Sequence, residues 1–236
     1  MITALLLDVD DTLIDTRAAM VAAAAAAAAV LWPGAGPAVH RAAGVRFQAD
    51  PGGFFSRFTR GEIGFAQMRQ ARVADLLDFF SLAPSDDVPR RFDEVYEPAF
   101  AVRLRCFDDA LPFLEAVHAA GTPMGLLTNA SAAYTTHKLE RTGLAGVFAV
   151  VATRDSLGFG KPDPRAFQHA CRLLGSAPHE TLYVGDHLEV DAIAARDAGL
   201  PAVWLRRDPA DPPDAARARS RGISVVGSLS QVRAFL

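Results

Sequence analysis

Short runs of apolar residues recur along the chain, and this recurrence restricts the fold more than any other feature of the sequence. Glycine, proline or acidic residues flank the runs, as is typical of strands buried on both faces of a parallel sheet. The runs cover residues 2–7, 124–127, 147–152, 181–184, 202–205 and 223–226. Helical patterns cover residues 131–142, 164–174 and 190–198 and follow Ser228, and a proline-rich stretch at 208–214 predicts a loop. Strands and helices that alternate in this way predict an α/β fold with a parallel sheet.

A stretch from about residue 15 to residue 105 interrupts the alternation and shows only helical patterns. Turn-rich clusters at 33–37, 50–53 and 84–87 separate these patterns. One helix is expected to bury a face of residues spaced by three and four, namely Phe65, Met68, Arg72, Leu76 and Phe79. The core of the insert is expected to include Phe47, Phe54, Phe55 and Phe58. We therefore expect two domains, an α/β core over 1–14 and 107–236 and an inserted all-helical domain over 15–106.

The composition is that of a globular protein and argues against several other classes of protein. Half of the 236 residues are hydrophobic, and 24 basic against 27 acidic residues leave a formal charge of −3. This balance gives no electrostatic reason to expect binding to nucleic acid or to an anionic membrane. Two cysteines, no basic N-terminal region and an alanine-rich stretch too short to span a membrane lead us to expect a cytoplasmic protein. Lysine is scarce, since only Lys138 and Lys161 among the basic residues are lysines.

Side chains that suit phosphate chemistry follow the predicted strands. Asp8 and Asp10 follow the first strand, Thr128 follows the second, Lys161 lies in a turn before a helix, and Asp186 follows a later strand. Ligands of open parallel sheets bind at the carboxyl ends of the strands, so we expect these residues at one edge of the sheet. Clustered carboxylates need a compensating cation, and a few such oxygens, with water and phosphate in the remaining positions, match the way Mg²⁺ is held. Acids, a hard cation and anion-binding groups together favour phosphoryl transfer.

These segments resemble the four sequence motifs of the haloacid dehalogenase superfamily. They are DVDDT at 8–12, Thr128 with Asn129, GKPDP at 160–164 and GDHLEVD at 185–191. The resemblance spans nearly the whole chain, and the helical insert resembles the cap that lies between motifs one and two in this superfamily. It implies a Rossmann-like three-layer core and a helical cap that closes over the site during the reaction.

The resemblance also implies roles for the acidic residues. Asp8 would be the nucleophile that becomes an aspartyl-phosphate. Asp10 would protonate the leaving oxygen and then activate the hydrolytic water, as a general acid and base. Asp8, Asp10 and Asp186 would bind Mg²⁺, with Asp10 contributing its backbone carbonyl.

The remaining motif residues are implied to bind phosphate or to support the site. Thr128, Asn129 and Lys161 would hold the phosphoryl oxygens. Asp191 would not ligate the metal itself but would orient metal-bound water or Lys161, and Thr12 would stabilise the first loop. Asp11 stands where many similar proteins have glycine, His187 is expected at the rim of the site, and Lys138 has no assigned role.

The residues also discriminate among the reactions of the superfamily. A dehalogenase needs no acid two residues after its nucleophile, so Asp10 argues against that reaction. A phosphonatase uses a cap lysine, and no lysine precedes Lys138. A hexose phosphomutase usually has a histidine shortly after the first motif, where this chain has none.

We expect a phosphatase of a small phosphorylated metabolite, for example a sugar phosphate, phosphoglycolate or a nucleoside monophosphate. A phosphomutase, a 2-haloacid dehalogenase-type hydrolase and a non-catalytic regulatory protein remain alternatives, and the oligomeric state is left open.

Overall fold

The computed structural model describes residues 1–209 and 211–236, which divide into two compact units. Met1–Asp15 and Cys106–Leu236 form an α/β unit, and Thr16–Arg105 form a helical unit. Ala210, within the loop predicted at 208–214, lies outside the described residues. The predicted loop is also shorter than expected, because a helix begins at Pro212.

A parallel sheet forms the centre of the α/β unit, as the alternating pattern predicts. Its strands are β1 (Ala4–Leu7), β2 (Met124–Thr128), β3 (Val150–Thr153), β4 (Thr181–Gly185), β5 (Ala202–Leu205) and β6 (Ser224–Val226). Within the described residues the sheet has six strands in the order β3-β2-β1-β4-β5-β6, and all neighbouring pairs are parallel. The strand order reverses between β1 and β4, and such a switch point leaves a crevice outside the carboxyl ends of the strands.

Helices make up the rest of both units. The helical unit contains α1 (Thr16–Leu31), α2 (Gly36–Ala49), α3 (Phe54–Thr59), α4 (Phe65–Phe80) and α5 (Val88–Ala101). The α/β unit contains α6 (Ala110–Ala119), α7 (Ala132–Arg141), α8 (Arg154–Leu157), α9 (Pro164–Leu174), α10 (Ala194–Asp197), α11 (Pro212–Ser220) and α12 (Leu229–Val232). The structure also contains short 3₁₀ turns at Pro33–Ala35, Pro178–Glu180 and Arg233–Phe235. A π-helical segment covers Leu188–Ile193. The sheet is thus flanked by helices, and the α/β fold prediction is confirmed.

Helix α9 shows how local sequence positions the site. Asp163 precedes it and accepts a hydrogen bond from the Arg165 amide at 2.9 Å, while Pro164 occupies the first helical position. Gly175 ends the helix with a φ of 73°, a conformation that costs glycine little. The buried face of α9 packs against β1, β2 and β3. The turn before α9 is therefore held at the edge of the sheet where the strands end.

Several predicted boundaries shift in the structure. β1 begins at Ala4 rather than at residue 2, and β3 begins at Val150 rather than at residue 147. The helix predicted at 190–198 is a π-helical segment, Leu188–Ile193, followed by the short helix α10. π-helical turns have looser hydrogen bonding than α-helices and occur frequently at functional sites.

The expected core of the helical unit is partly wrong. Phe47 is buried, but Phe54 and Phe58 are only partly buried and Phe55 is exposed. These three lie in or beside the short helix α3, which offers too little surface to bury a full aromatic face.

The predicted apolar face of α4 is also wrong at its two ends. The middle of that face is buried, whereas Phe65 is 39% exposed and Phe79 is 60% exposed. Both phenylalanines lie in the terminal turns of α4. The Arg46 guanidinium lies 3.7 Å from the centre of the Phe79 ring, so this ring contacts a cation instead of a core.

In the part of the chain that the structure describes, no single helix combines the length and apolar character needed to cross a membrane. The segments Thr16–Leu31 and Pro33–Thr59 reach that length and composition only when taken together, and they bend by 104° at the break between them.

Candidate active site

The residues that follow β1 and β4 form one cluster at the switch point of the sheet. Asp8 directly follows β1, and its amide donates to the Val184 carbonyl of β4 at 2.9 Å. One carboxylate oxygen from each of Asp8, Asp186 and Asp191 lies within 4.8 Å of the other two. Carboxylates so close together repel one another unless a cation or a proton compensates their charge.

Lys161 supplies part of that compensation. Its Nζ donates to Asp8 Oδ1 at 2.5 Å, to Asp191 Oδ1 at 2.6 Å and to the Tyr183 hydroxyl at 2.9 Å. Tyr183 in turn donates to Asp191 Oδ1 at 2.9 Å. Burial alone would lower the pKa of Lys161, but Asp191 and Asp8 outweigh it and raise the pKa. The ammonium therefore stays charged and holds both carboxylates in place.

The loop after β1 fixes the second oxygen of Asp8. Thr12 is buried, and its hydroxyl donates to Asp8 Oδ2 at 3.2 Å. The Thr12 carbonyl accepts from Arg207 at 2.8 Å, and Arg207 also pairs with Asp109 at 2.9 Å. Asp11 has a φ of 58°, in the left-handed region where glycine is free of strain and Asp is among the better-tolerated residues. This conformation explains why glycine suits the position.

Asn129 braces the turn that carries Lys161. Its side-chain amide donates to the Lys161 carbonyl at 2.8 Å, and its Oδ1 accepts from the Lys161 amide at 2.8 Å. A Cβ on Gly160 would lie 2.4 Å from Asn129 Oδ1, so a larger residue there would displace the Asn129 side chain or the turn. Thr128 ends β2, is buried, and accepts from the Ala130 amide at 3.1 Å. The Asn129 side chain thus faces the backbone of the lysine turn.

The segment after β4 places Asp186 and Asp191 differently. The Asp186 carbonyl accepts from the Trp204 indole at 2.7 Å, which fixes the backbone at this point. Asp191 is buried, and its Oδ2 accepts from the His187 amide at 3.0 Å. The His187 side chain is exposed and accepts from the Val190 amide at 3.3 Å, so it caps the π-helical segment.

The acidic side chains carry strongly shifted pKa values. Burial raises the pKa of Asp8 to about 7, against the opposing effect of Lys161. Burial, followed by repulsion from Asp191 and Asp8, raises the pKa of Asp186 to about 9. These pKa values indicate that the cluster retains protons near neutral pH where no cation binds it.

Two residues of the site were not assigned a role from the sequence. Lys138 on α7 lies with its Nζ 2.5 Å from Asp10 Oδ1, and Tyr183 on β4 contacts Lys161 and Asp191. The sequence does carry a signal for Lys138, because it is one of only two lysines and lies on the helix predicted directly after Thr128. A signal for Tyr183 is its place in a strand buried on both faces, where a hydroxyl needs a hydrogen-bond partner.

The sequence of this chain matches one known protein family over most of its length. The family of haloacid dehalogenase-like hydrolases matches residues 2–199 of this chain. The chain belongs to this family. The four motifs and the helical insert lie within the matched residues, and the expected family membership is confirmed.

Two named phosphatases are similar to part of this sequence. A phosphoserine phosphatase of Thermus thermophilus is 38% identical over 136 residues, which are 56% of this chain and 55% of the relative. A phosphoglycolate phosphatase of Thiobacillus denitrificans is 37% identical over 110 residues, which are 47% of this chain and 48% of the relative. The chain thus spans about half of the length of these two relatives.

A solved structure extends the comparison to the whole fold. A dehalogenase crystallised as an intermediate complex is 22% identical to this chain and superposes on it with a TM-score of 0.77. The superposition covers 100% of this chain and 97% of the dehalogenase. At this identity the likeness shows a shared fold, within which the polar residues select the chemistry.

Proposed function

We propose that this hydrolase is a Mg²⁺-dependent phosphatase that cleaves a small phosphate monoester through an aspartyl-phosphate on Asp8. The proposal depends on one observation above all. Thr12 and Lys161 each hold one oxygen of Asp8, so the carboxylate stands fixed at the carboxyl end of β1. A fixed carboxylate beside other acids suits nucleophilic attack on phosphorus.

The residues present fit a magnesium ion. Carboxylate oxygens are the hard ligands that Mg²⁺ prefers, and three acids lie together here. Asp191 already accepts three hydrogen bonds, from Lys161, Tyr183 and the His187 amide, whereas Asp8 accepts one on each oxygen. We therefore assign direct ligation to Asp8 and Asp186 and to the Asp10 carbonyl. Bound Mg²⁺ neutralises charge on the phosphate and on the acids.

In the first step Asp8 Oδ attacks the phosphorus of the ester. The bond between phosphorus and the ester oxygen breaks, and its electron pair passes to the leaving oxygen. The Asp10 carboxyl group gives its proton to that oxygen, and an alcohol leaves. The Thr128 hydroxyl and Lys161 are proposed to hold the phosphoryl oxygens.

In the second step water attacks the aspartyl-phosphate. The Asp10 carboxylate accepts a proton from this water, a new bond forms between phosphorus and the water oxygen, and the bond between phosphorus and Asp8 breaks. Phosphate leaves, and both aspartates regain their starting protonation states. The sum of the two steps is a phosphate ester plus water giving an alcohol plus phosphate.

The acid two residues after the nucleophile supports hydrolysis of phosphate esters over dehalogenation. A halide leaves without a proton, whereas an alkoxide needs one. The named relatives support small anionic substrates, so phosphoserine and phosphoglycolate are the first esters to test. A cytoplasmic location belongs to the same proposal and is supported by the free cysteines Cys106 and Cys171.

The proposal is tested with purified protein, Mg²⁺, and a panel of p-nitrophenyl phosphate, phosphoserine, phosphoglycolate, a sugar phosphate and a nucleoside monophosphate. We expect phosphate release that EDTA abolishes. Asp8→Asn keeps the shape of the side chain but removes the nucleophile, and it is expected to abolish release. Asp214→Asn, an exposed change on α11, is the matched control and is expected to be as active as the parent.

Two outcomes contradict the proposal. One is phosphate release that survives Asp8→Asn. The other is halide release from a 2-haloacid by the parent protein with no phosphate released from any ester of the panel.

A further inference from the structure

The second lysine of the chain lies buried beside the proposed acid and base. Lys138 Nζ is 2.5 Å from Asp10 Oδ1, and the Lys138 side chain is 7% exposed against 31% for Asp10. The two residues are 128 positions apart in the sequence. The contact therefore joins the loop after β1 to helix α7.

Packing alone does not explain a lysine at this position. Lys138 shares the buried face of α7 with Thr135 and Leu139, where an uncharged side chain of similar length would fill the same space. A buried ammonium is costly unless it is paired, and its hydrogen-bonded partner within the described residues is Asp10. The Lys138 ammonium thus has one oxygen of the Asp10 carboxyl group, Oδ1, as its acceptor.

Lys161, the other lysine of the chain, binds a different set of side chains. Its ammonium donates to Asp8, Asp191 and Tyr183, whereas the ammonium that donates to Asp10 is that of Lys138. Each of the two lysines therefore binds one aspartate of the first motif: Lys161 binds Asp8, and Lys138 binds Asp10.

The backbone around Asp10 is held separately from its side chain. Asp10 forms an isolated bridge with Ile14, and the Asp11 amide donates to the Ile14 carbonyl at 2.8 Å. These contacts hold the backbone of the loop, and Lys138 binds the side-chain carboxyl group from α7. Helix α7 starts at Ala132, three residues after Asn129, so the segment that carries the second motif leads directly into the helix that carries this lysine.

We propose that Lys138 is a positioning residue that holds the Asp10 carboxyl group where it can give a proton to the leaving oxygen and later take one from water. This inference rests on the proposed phosphatase function. Geometry matters here because a proton donor has to lie within hydrogen-bond reach of the leaving oxygen.

The choice of leaving group separates positioning from simple stability. Proton donation matters for an alkyl oxygen and matters little for p-nitrophenolate, which leaves as an anion. The rate of aspartyl-phosphate formation, measured in single turnovers, is therefore compared for phosphoglycolate and p-nitrophenyl phosphate. If phosphoglycolate is not cleaved, the alkyl ester of the panel that the parent cleaves best is used.

We expect Lys138→Met to slow this step about 10- to 100-fold with the alkyl ester and less than about threefold with p-nitrophenyl phosphate, with little change in KM. Lys138→Arg keeps a buried cation and is expected to recover part of the alkyl ester rate. Arg141→Met, an exposed change on the same helix, is the matched control and is expected to leave both rates unchanged.

A double-variant cycle keeps the inference testable if Lys138→Met folds poorly. In the Asp10→Asn background, Lys138→Arg is expected to cause no further loss with the alkyl ester, because the group that it positions is already gone. Equal losses with both leaving groups, no loss at all, or an additive loss in the Asp10→Asn background would overturn the inference. Failure of the proposed function is distinct, because the parent protein would then release phosphate from no ester.

Discussion

Lys161 Nζ lies 2.5 Å from Asp8 Oδ1, although 153 residues separate the two in the sequence. Both side chains are buried, with 3% and 7% exposure, so the pair is shielded from water. Removing one member of such a pair leaves an uncompensated charge in the interior. A change that moves Asp8 or Lys161 is therefore expected to disturb the whole site.

Asp10→Asn is expected to separate the two steps of the proposed reaction. p-Nitrophenyl phosphate needs little proton donation, so phosphorylation of Asp8 continues, while hydrolysis slows by about 100-fold or more because the base is missing. The phosphorylated protein then accumulates and is measured by intact mass after rapid quenching. Normal turnover in Asp10→Asn, or accumulation that persists in the Asp8→Asn/Asp10→Asn protein, would contradict the assigned roles.

The metal-free protein is expected to lose stability as the pH rises. Folding raises the pKa of Asp8 from 3.8 to about 7 and that of Asp186 from 3.8 to about 9, chiefly through burial. The folded state therefore binds protons more tightly than the unfolded chain across this range. The stabilisation is complete below about pH 4 and is lost as the pH rises through the folded pKa values.

Urea unfolding in EDTA and in Mg²⁺ measures this linkage. We expect Mg²⁺ to raise the free energy of unfolding more at about pH 9 than at about pH 5, because bound metal favours the charged acids. Asp186→Asn removes one of the shifted groups, so the metal-free protein should lose less stability with rising pH and respond less to Mg²⁺. Equal dependence on pH in the parent and in Asp186→Asn would argue against this account.

Gly160→Ala is expected to disrupt the hydrogen bonds between the Asn129 side chain and the Lys161 backbone. The new Cβ would stand 2.4 Å from Asn129 Oδ1, which accepts from the Lys161 amide. We expect at least about a tenfold loss of kcat/KM on p-nitrophenyl phosphate, because a misplaced Lys161 no longer orients Asp8.

Asn129→Ala serves as the partner variant for Gly160→Ala, since it removes the atom that the new methyl group meets. The double variant is therefore expected to be no worse than Asn129→Ala alone. Strictly additive losses would show that the contact does not limit position 160.

Tyr183→Phe is expected to weaken the protein by about 2 kcal/mol through loss of hydrogen bonds to charged groups. The Tyr183 hydroxyl accepts from Lys161 at 2.9 Å and donates to Asp191 at 2.9 Å. The ring packs edge-on against Phe167 with centroids 5.0 Å apart, so phenylalanine preserves the packing and isolates the hydroxyl.

Urea unfolding measures this loss, and activity provides a second readout. We expect Tyr183→Phe to retain more activity than Lys161→Met, because the ammonium still has both carboxylates. Unchanged stability in Tyr183→Phe would mean that the hydroxyl contributes nothing net to the network.

Much of the α/β unit could be predicted because its pattern is local. Apolar runs bounded by turn residues mark buried strands, and the ends of α9 follow from Asp163, Pro164 and Gly175. The two phenylalanines at the ends of α4, Phe65 and Phe79, show the limit of such reasoning. A periodic face predicts which residues can be buried, and the packing of the helices against one another decides which ones are.

The sequence by itself determined the family, the parallel sheet and the order of the motif loops. These features depend on residues that lie close together in the chain, so local patterns and motif spacing reveal them. Only the tertiary structure decided that Lys138 pairs with Asp10 and that Tyr183 joins Lys161 to Asp191. These contacts join residues that are far apart in the sequence or on different elements, and they depend on where each helix or strand directs a side chain. A buried charge or hydroxyl requires a partner, and the packing of the whole unit selects which one it finds.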